Sequence, residues 1–372
     1  MNGKKIRLSK SSISVLEKEA VVDVLDKEFL GMGEEVQQFE KEIRHYIQTD
    51  KEVVCVNTGT SALHLALDAL GIGEGDEVLV PSLTYIATYQ AISATGARPV
   101  SCEIDPDTLF LDTEDAEKRI TQRTKVIMPV HYASNSSGMD DVYALAKKHS
   151  LRVVEDAAQA FGCIRDGKHI GVTGDIVCFS FDGIKNITSG EGGAILSSDK
   201  LFLQKIKDKR LLGVEKDTEK RYNTQRSWDF DVKEQGFRYH LSNIMATIGR
   251  IQLKRIGEFG NKRQRVVNFY LRELVDFSEI SFLKFDYRNI ISHIFVIKVQ
   301  QRDALQAHLL ANDIECGVHY KPNHLLSKYS SDINLPMTEQ TYDEIITLPC
   351  HTDLTDEELK YIINMIKDFY HG

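Results

Sequence analysis

The 372-residue sequence lacks the features that mark several classes of protein. Basic residues are in the minority, since 46 Lys and Arg stand against 55 Asp and Glu, so no global positive charge is available to bind a nucleic acid. No apolar run approaches the length that spans a bilayer, and no apolar stretch of a secretion signal follows the charged N-terminus. We therefore expect a cytoplasmic protein without a nucleic-acid or membrane partner.

Cysteine is also scarce, and the six residues are scattered without a C-x-x-C pair. Most of them lie inside apolar runs, which predicts buried thiols in a reducing compartment rather than a disulfide framework or a zinc site. No metal site is expected. The cysteines are Cys55, Cys102, Cys163, Cys178, Cys316 and Cys350.

The chain has no linker rich in Pro, Gly or Ser, no internal repeat and no low-complexity tract. Because single hydrophobic cores seldom grow beyond about 250–300 residues, this length predicts a large domain and a smaller one. We place the large domain at residues 1–241 and a small C-terminal α/β domain at residues 242–372.

Short apolar strands alternate with helical patterns through the first part of the chain. This order predicts an α/β fold with a mostly parallel central sheet and helices on both faces. Ligands of such sheets bind at the carboxyl ends of the strands, and polar groups follow five predicted strands at that point. These groups are Asn57 to Ser61, Ser82 to Tyr85, His131 with Tyr132, Glu155 to Gln159, and Lys185. The five segments are predicted to converge on one rim.

The turn from Asn57 to Ser61 lies between a strand signal and a helical pattern. At a helix N-terminus, free backbone N–H groups and hydroxyls converge at the positive end of the helix dipole, so Gly59, Thr60 and Ser61 form a candidate phosphate site. The alternative is an ordinary N-cap, for which Thr and Ser are also typical.

Lys185 stands where a strand-like apolar run gives way to a glycine-rich bend. Gly190, Gly192 and Gly193 let the backbone approach a planar ligand closely. Because burial lowers the pKa of a lysine and makes its amine a nucleophile, we interpret Lys185 as the covalent anchor of a pyridoxal phosphate cofactor. The alternative is a solvated lysine beside an ordinary turn.

Asp156 follows the apolar run of a predicted strand and precedes small alanines, which suit a flat ligand lying close to the backbone. A carboxylate at this position would pair with a protonated ring nitrogen of a bound heterocycle and keep the ring an electron sink. The alternative is an aspartate that caps a helix.

Several ordered motifs together resemble the DegT/DnrJ/EryC1/StrS family of nucleotide-sugar aminotransferases, and the resemblance spans essentially the whole chain. The motifs are NTGTSALHLAL (57–67), PSLTY (81–85), EDAAQA (155–160), SFDGIKNITSGEGG (180–193), GVHY (317–320) and LPCHTDLT (348–355).

This resemblance implies a fold-type I, aspartate aminotransferase-like transferase that binds pyridoxal 5'-phosphate and completes its active site across a homodimer interface. The residues that it assigns to the cofactor are Lys185 as the covalent anchor, Asp156 at the pyridine nitrogen, Gln159 near the 3-hydroxyl, Tyr85 stacked on the ring, and Gly59, Thr60 and Ser180 at the phosphate.

One segment departs from the family pattern. Many members read Gly-x-Asn-Tyr-Arg-Met before the long helix, and their asparagine reaches the cofactor phosphate of the partner subunit, whereas this chain reads GFRYHL at residues 236–241. Arg238 occupies the asparagine position, and its charged donor fork is suited to the same contact. The alternative is a salt bridge on the surface.

The segment 185–193 is similar to members that aminate C4 of a 4-keto-6-deoxyhexose, whereas members acting at C3 more often read Lys-Asn-Leu-Gly. The resemblance therefore implies amino transfer, with L-glutamate as the expected donor, to dTDP-4-keto-6-deoxy-D-glucose. The product would be dTDP-4-amino-4,6-dideoxy-D-glucose (viosamine type), for a bacterial surface polysaccharide such as O-antigen. GDP- or UDP-linked substrates and sugar 3-amination are alternatives. A non-catalytic regulator that binds the cofactor would lose Lys185 or Asp156, and neither is lost.

Four further positions remain as candidates at the substrate side. His131 follows a predicted strand at the rim, and either a site role or a structural role fits it. His319 and Tyr320 are expected to touch the nucleotide sugar, with ordinary packing as the alternative. Trp228 lies in a polar run that would form a loop near the substrate. His64, inside an apolar helix, is expected to be a core residue.

Overall fold

The computed structural model describes residues 5–226 and 228–371. Within these residues, helices and strands alternate along the chain. The helices are α1 (Val15–Asp26), α2 (Glu34–Ile47), α3 (Gly59–Ala69), α4 (Ile86–Ala94), α5 (Thr113–Lys118), α6 (Met139–His149), α7 (Lys200–Lys209), α8 (Asp217–Tyr222), α9 (Asn243–Lys254), α10 (Ile256–Leu274), α11 (Arg302–Ala311), α12 (Pro336–Glu344) and α13 (Asp356–His371). The strands are β1 (Glu52–Val56), β2 (Glu77–Pro81), β3 (Arg98–Cys102), β4 (Thr124–Ile127), β5 (Arg152–Asp156), β6 (Ile164–Arg165), β7 (Lys168–His169), β8 (Ile176–Ser180), β9 (Gly193–Ser197), β10 (Ile280–Phe282), β11 (Phe295–Val299) and β12 (Ile345–Leu348).

The central sheet contains seven strands in the order β1-β9-β8-β5-β4-β2-β3. Four neighbouring pairs, from β3 across to β8, are parallel, whereas β9 runs antiparallel to both β8 and β1. The predicted mostly parallel sheet is confirmed. Strands β2 and β8 are buried throughout, as expected for strands that are covered on both faces.

Two hydrophobic clusters lie on opposite faces of this sheet. Because successive side chains of a strand point to opposite faces, neighbouring residues of β8 enter different clusters. Val177 belongs to the cluster that contains Phe39 of α2, whereas Cys178 belongs to the cluster that contains Leu65 of α3. The sheet therefore forms the middle layer of three, and its strand ends are left open to build a site.

A smaller antiparallel sheet, in the order β10-β11-β12, packs with α10, α11 and α13 around a separate cluster. Ile6 joins this cluster and pairs with Ile314, so the N-terminal segment crosses to the C-terminal part of the chain. The division of the chain at residues 241 and 242 stays a prediction.

All six cysteines are free thiols, and five of them are buried while Cys316 is partly exposed, which confirms the predicted burial of most of the thiols. Among residues 5–226 and 228–371, no helix combines the length and the apolar character that crossing a membrane requires.

Candidate active site

The strand ends bring the predicted rim segments into contact. Asp156, the last residue of β5, accepts a hydrogen bond from the Thr88 hydroxyl of α4 at 2.8 Å. The main-chain oxygen of Asp156 accepts another from the His131 amide at 3.0 Å. The Gln159 side chain donates to the Tyr320 hydroxyl at 3.2 Å, which connects the rim to the C-terminal part of the chain. Segments that are far apart in sequence therefore meet at one place.

Lys185 lies in the loop that follows β8, and its amine lies 3.3 Å from Nε2 of His293. Burial lowers the pKa of the Lys185 amine, although the negative charges of Asp156 and Asp182 act in the opposite direction. No carboxylate within the described residues forms an ion pair with this amine. The site therefore favours a neutral, nucleophilic lysine over the solvated one of the alternative interpretation.

His293 is a site residue that the sequence reasoning missed. It directly precedes Ile294 and β11, and only 4 % of its surface is exposed. Burial lowers its pKa well below the usual value, and the charges of Lys185 and Arg263 act in the same direction. A histidine beside an apolar strand was the one available signal, and its partner Lys185 lies 108 residues away in the chain.

The Asp156 carboxylate is buried, with 5 % of the residue exposed. Burial raises its pKa, while hydrogen bonds from the Thr88 hydroxyl and the Ala158 amide and the charge of Lys185 lower it. No helix begins after Asp156, since the next helix of the described chain is α7, so the helix-cap alternative does not apply. Among the described residues this buried carboxylate accepts hydrogen bonds only from neutral donors, which suits a cationic partner.

Gln159 is fixed at both ends of its side-chain amide. Its oxygen accepts from the Ala133 amide at 2.8 Å and its nitrogen donates to the Tyr320 hydroxyl. Burial raises the pKa of Tyr320, so this hydroxyl keeps its proton at neutral pH. The Tyr320 ring lies 5.4 Å from the Tyr85 ring, centroid to centroid, and Tyr85 is 55 % exposed. The Tyr85 ring is therefore accessible to a ligand, as the stacking prediction requires.

The start of α3 lies against the end of β8 and leaves no room for a side chain at Gly59. A Cβ atom at this position would lie 2.7 Å from the Ser180 Cβ, closer than two carbon atoms can approach. The amides of Gly59 and Thr60 donate no hydrogen bond to another described residue, as is usual in the first turn of a helix. Free amides, the exposed Thr60 and the Ser180 hydroxyl form the donor set expected of a phosphate cradle.

Ser61 is predicted at the phosphate site, but its polar groups form local hydrogen bonds at the start of α3. Its amide donates to the Thr58 hydroxyl at 2.9 Å, and its hydroxyl donates to Asn57 and accepts from the Thr58 amide. These bonds form a capping box in which Thr58 is the N-cap and Ser61 the third helical residue, while the free donors lie at Gly59 and Thr60. Contact of Ser61 with a cofactor stays a prediction.

The two histidines predicted near the substrate lie in different surroundings. His131 is fully buried, and its Nε2 atom lies 2.8 Å from the Glu155 carboxylate, which also accepts from the Tyr143 hydroxyl. This position supports packing beside Asp156 more than contact with a substrate. His319 is partly exposed and bonds to the Thr347 hydroxyl at 2.8 Å, and burial together with the charge of Lys185 lowers its pKa to about 4.

The structure also shows the surroundings of three other residues named in the sequence analysis. The Arg238 side chain is exposed and forms no ion pair with any described residue, so the surface salt bridge of the alternative interpretation is not seen. Trp228 is 86 % exposed. His64 is buried and bonds to the Tyr239 hydroxyl at 3.1 Å, as expected of a core histidine.

The residues present fit pyridoxal phosphate in three respects. Lys185 offers an amine whose pKa burial lowers, Asp156 offers a buried carboxylate that forms no ion pair with another described residue, and Gly59 leaves room for a phosphate beside free amide donors. Within the described residues, no cluster of three or more His, Cys, Asp or Glu side chains could hold a metal ion.

Comparison with known proteins also supports the assignment of this site to pyridoxal phosphate. The profile of the DegT/DnrJ/EryC1/StrS aminotransferase family matches residues 11–367 of the chain. Protein MJ1066 of Methanocaldococcus jannaschii is 33% identical over 360 residues, which cover 93% of each chain.

Two solved structures share the fold over nearly their full length. The PLP-form of Spr1654 from Streptococcus pneumoniae is 30% identical with a TM-score of 0.90, and the match covers 98% of each chain. The sugar aminotransferase CalS13 from Micromonospora echinospora is 29% identical with a TM-score of 0.90, over 98% of this chain and all of its own.

Proposed function

Because the chain belongs to the DegT/DnrJ/EryC1/StrS aminotransferase family and is a pyridoxal phosphate-dependent sugar aminotransferase, we propose that it aminates C4 of a nucleotide-linked 4-keto-6-deoxyhexose. L-Glutamate is the proposed amino donor. The substrate that we favour is dTDP-4-keto-6-deoxy-D-glucose, and the product is dTDP-4-amino-4,6-dideoxy-D-glucose. This product would serve the synthesis of a bacterial surface polysaccharide such as O-antigen, and the cytoplasmic location stays a prediction.

The observation that carries the catalytic part of this proposal is the pair formed by Lys185 and Asp156. Asp156 is buried at the end of β5, and Lys185 lies partly buried in the loop after β8, the parallel neighbour of β5, so each group influences the pKa of the other. A partly buried lysine without an ion pair among the described residues has little structural value, since an unpaired cation removed from water destabilises the fold. Its presence here is therefore best explained by chemistry at its amine.

The residues that would hold the cofactor follow from the site. Lys185 would bind it covalently, and Asp156 would hold the positive charge of the ring nitrogen. Gly59, Thr60 and Ser180 would bind the phosphate, while Tyr85 would cover the ring and Gln159 would contact its hydroxyl. When bound, pyridoxal phosphate supplies a conjugated ring that accepts electrons from a carbon losing its proton.

Lys185 would then act as the general base and acid of the reaction. Burial lowers the pKa of its Nζ atom, which would take the proton from the α-carbon of glutamate and deliver it to C4′ of the cofactor. The same amine would carry out the reverse movement on the sugar. Burial raises the pKa of Asp156, and within the described residues the hydrogen bonds from Thr88 and Ala158 oppose this effect and favour the negative carboxylate.

The choice of C4 rests on the sequence of the segment 185–193, and the choice of dTDP rests on the resemblance of the whole chain, not on a contact in the site. Tyr320 and His319 lie beside Gln159 and Thr347 and are the proposed contacts to the sugar. His131, fully buried, is the weakest member of the predicted set. Sugar 3-amination and GDP- or UDP-linked substrates are the outcomes that the experiment must distinguish.

A homodimer is part of the proposal because α1, which follows a segment in contact with the Lys185 loop, carries exposed apolar residues. Val15, Leu16 and Val22 of α1 are 60 %, 50 % and 52 % exposed. The segment before α1 contacts this loop directly, since the Ser11 hydroxyl donates to the Gly183 oxygen. Such an exposed apolar face is typical of an interface, and a partner at this position would lie next to the active site.

Single-turnover amination tests the proposal. Purified protein loaded with pyridoxamine phosphate is offered dTDP-, UDP- and GDP-linked 4-keto-6-deoxy sugars, and the products are resolved by mass spectrometry and NMR. We expect an amine at C4 of the dTDP sugar, formed in an amount equal to the loaded cofactor. The Lys185→Ala variant is the matched control and should form at most a trace of product.

Amination of another nucleotide sugar would correct the base, and amination at C3 would correct the position. Absence of any amine from protein that visibly binds the cofactor would remove the proposed function and favour a regulator. Substantial turnover by Lys185→Ala would remove the assignment of the base.

A further inference from the structure

Within the described residues, the Lys185 amine forms its side-chain hydrogen bond with the imidazole of His293. Their nitrogen atoms lie 3.3 Å apart, within hydrogen-bonding distance. His293 is buried and Lys185 is partly buried, and in the described part of the chain neither forms an ion pair. A lysine is usually neutralised by a carboxylate, so a neutral partner calls for a chemical reason.

The backbone of His293 is held on both sides. Its amide donates to the Ser134 hydroxyl at 3.2 Å, and its carbonyl oxygen accepts from the Arg263 guanidinium at 3.1 Å. Arg263 is itself buried, and it also donates to the carbonyl oxygens of Ser292 and Cys350. The ring is therefore presented to Lys185 from a fixed main chain.

The second ring nitrogen indicates where the proton of a neutral imidazole resides. Nδ1 of His293 is buried and has no hydrogen-bond partner among the described residues. A proton on Nδ1 would leave a buried donor unsatisfied, whereas a proton on Nε2 has the amine of Lys185 as its acceptor. The hydrogen-bond pattern therefore assigns the proton to Nε2.

This tautomer distinguishes the two charge states of the lysine. A neutral amine has a lone pair that accepts the Nε2 hydrogen, while an ammonium group has none and would face that hydrogen directly. The charged groups around the pair affect the pKa values of Lys185 and His293 in opposite directions. Asp156 and Asp182 raise the pKa of Lys185, whereas Arg263, Lys185 and His319 oppose a positive charge on His293.

We propose that His293 is a positioning residue that holds the free Lys185 side chain as a neutral amine, by donating its Nε2 hydrogen to the amine lone pair. The lysine would occupy this position whenever it is not bonded to the cofactor, which is when it must act as a base. The proposal rests on the proposed function only in taking Lys185 as the cofactor lysine.

The titration of Lys185 in protein freed of cofactor tests this role. Trace acetic anhydride labels the protein over a range of pH with an internal amine standard, and the Lys185 peptide is quantified by mass spectrometry. In His293→Gln the side-chain amide can turn its oxygen toward an ammonium group. We therefore expect the labelling midpoint to rise by one pH unit or more, which is about a tenfold loss of labelling at neutral pH.

The His324→Gln variant is the matched control, since His324 is also buried and hydrogen bonded, to Ser82 at 2.7 Å. Its Lys185 midpoint should equal that of the wild type. An unchanged or lower midpoint in His293→Gln, or an equal rise in both variants, would overturn the proposal, because a merely structural histidine would not move this midpoint selectively.

A second measurement needs no His293 variant. In cofactor-free wild-type protein labelled with ¹⁵N-histidine, the ring-nitrogen shifts report the tautomer, and the signal is assigned as the one perturbed in Lys185→Ala. We expect the proton on Nε2, and a proton on Nδ1 would overturn the proposal. Borohydride reduction of cofactor-loaded protein and peptide mapping test the shared premise separately. A modified lysine other than Lys185 would contradict the proposed function and this proposal together, whereas modified Lys185 with the proton on Nδ1 of His293 would overturn this proposal alone.

Discussion

At the scale of single residues, loss of the Asp156 charge should have the largest effect on cofactor affinity and turnover. The buried Asp156 carboxylate accepts hydrogen bonds only from Thr88 and Ala158 within the described residues. Removing one partner of a buried charge pair costs about 3–5 kcal/mol, so Asp156→Asn should lower cofactor affinity and turnover by at least about 100-fold together. Cofactor titration by absorbance and steady-state kinetics measure the two effects.

The control for this prediction is Glu155→Gln, one residue away and equally buried. Glu155 bonds to His131 and Tyr143, so its loss should lower stability and leave cofactor affinity nearly unchanged. Similar losses of affinity in both variants would mean that Asp156 has no special relation to the ring.

Gly59→Ala tests the phosphate cradle by adding a single methyl group. The new Cβ would lie 2.7 Å from the Ser180 Cβ, so the turn must move away from β8. Overpacking of this kind costs about 1–3 kcal/mol of stability, and we expect cofactor affinity to fall about tenfold or more as the free amides shift. Thermal unfolding and cofactor titration with and without phosphate in the buffer measure both.

Gly257→Ala provides the matched substitution, because the region around its Cβ is empty to 4 Å and the residue lies in α10. This change should raise the unfolding free energy by about 0.5–1 kcal/mol through helix propensity and leave cofactor affinity unchanged. Equal behaviour of the two alanine variants would contradict the cradle.

At the scale of elements, Glu17 links α1 to α9 and to the start of α10. This buried carboxylate caps α1 at Ser14 and accepts from Arg255 at 2.6 Å and from Gln252 at 2.7 Å. Burial alone would raise its pKa, but hydrogen bonds from Ser14 and Arg255 outweigh burial and lower the pKa from 4.5 to about 2. The stability from this group is therefore complete above pH 4.5 and is lost as the pH falls toward 2.

We expect Glu17→Gln to lower the unfolding free energy by roughly 2–3 kcal/mol at pH 7, and by clearly less at pH 3, where wild-type Glu17 has lost part of its advantage. Urea unfolding at both values measures the difference. Glu258→Gln is the control, because Glu258 also bonds to Arg255 but lies exposed, where a pair contributes about 0–1 kcal/mol. A Glu17 effect that does not change with pH would contradict the pKa argument.

The sequence predicts elements best where the apolar pattern is strong. The apolar pattern predicts a helix over 139–149 and a strand over 176–181, and the structure has α6 (Met139–His149) and β8 (Ile176–Ser180), because both elements carry their periodicity locally. The polar helices α7 and α8 and the short β12 are missed, since their formation depends on packing that the local pattern does not record. The antiparallel placement of β9 likewise depends on its neighbours β1 and β8.

The candidate site also contains residues that the sequence predicts and residues that it does not. Lys185, Asp156 and Gly59 are predictable because each combines a reactive or flexible residue with the end of a strand or the start of a helix. His293 is not, because its role depends on a contact across 108 residues, and the position of its unpaired Nδ1 depends on the packed core. Ser61 differs from these three residues because its hydroxyl is engaged in the capping box at the start of α3.

At the scale of the whole molecule, the proposed homodimer makes a prediction about mass. Analytical ultracentrifugation should give twice the chain mass of 42.2 kDa. Burying charge is costly at an apolar interface, so Leu16→Asp combined with Val22→Asp should shift the protein toward the monomer. Val275→Asp, at an equally exposed apolar residue after α10, should not. A wild-type monomer at micromolar concentration would remove the dimer from the proposal.

Arg238 provides a sharper test, because its exposed guanidinium lacks a partner within the described residues of its own chain. If Arg238 completes the site of the partner subunit, Lys185→Ala and Arg238→Ala should each be nearly inactive alone and regain activity when mixed. In a mixed dimer one site receives intact Lys185 and intact Arg238, while the other site lacks both.

Random exchange of subunits makes half of the dimers mixed, so about a quarter of the wild-type activity should return. The measurement is turnover after partial denaturation, mixing and refolding, with each variant refolded alone as the control. If Arg238 serves its own subunit, every site of the mixed dimer lacks one of the two residues and no activity returns. A full-rate Arg238→Ala variant would instead assign no catalytic need to the position, and the departure from the family asparagine would then be neutral.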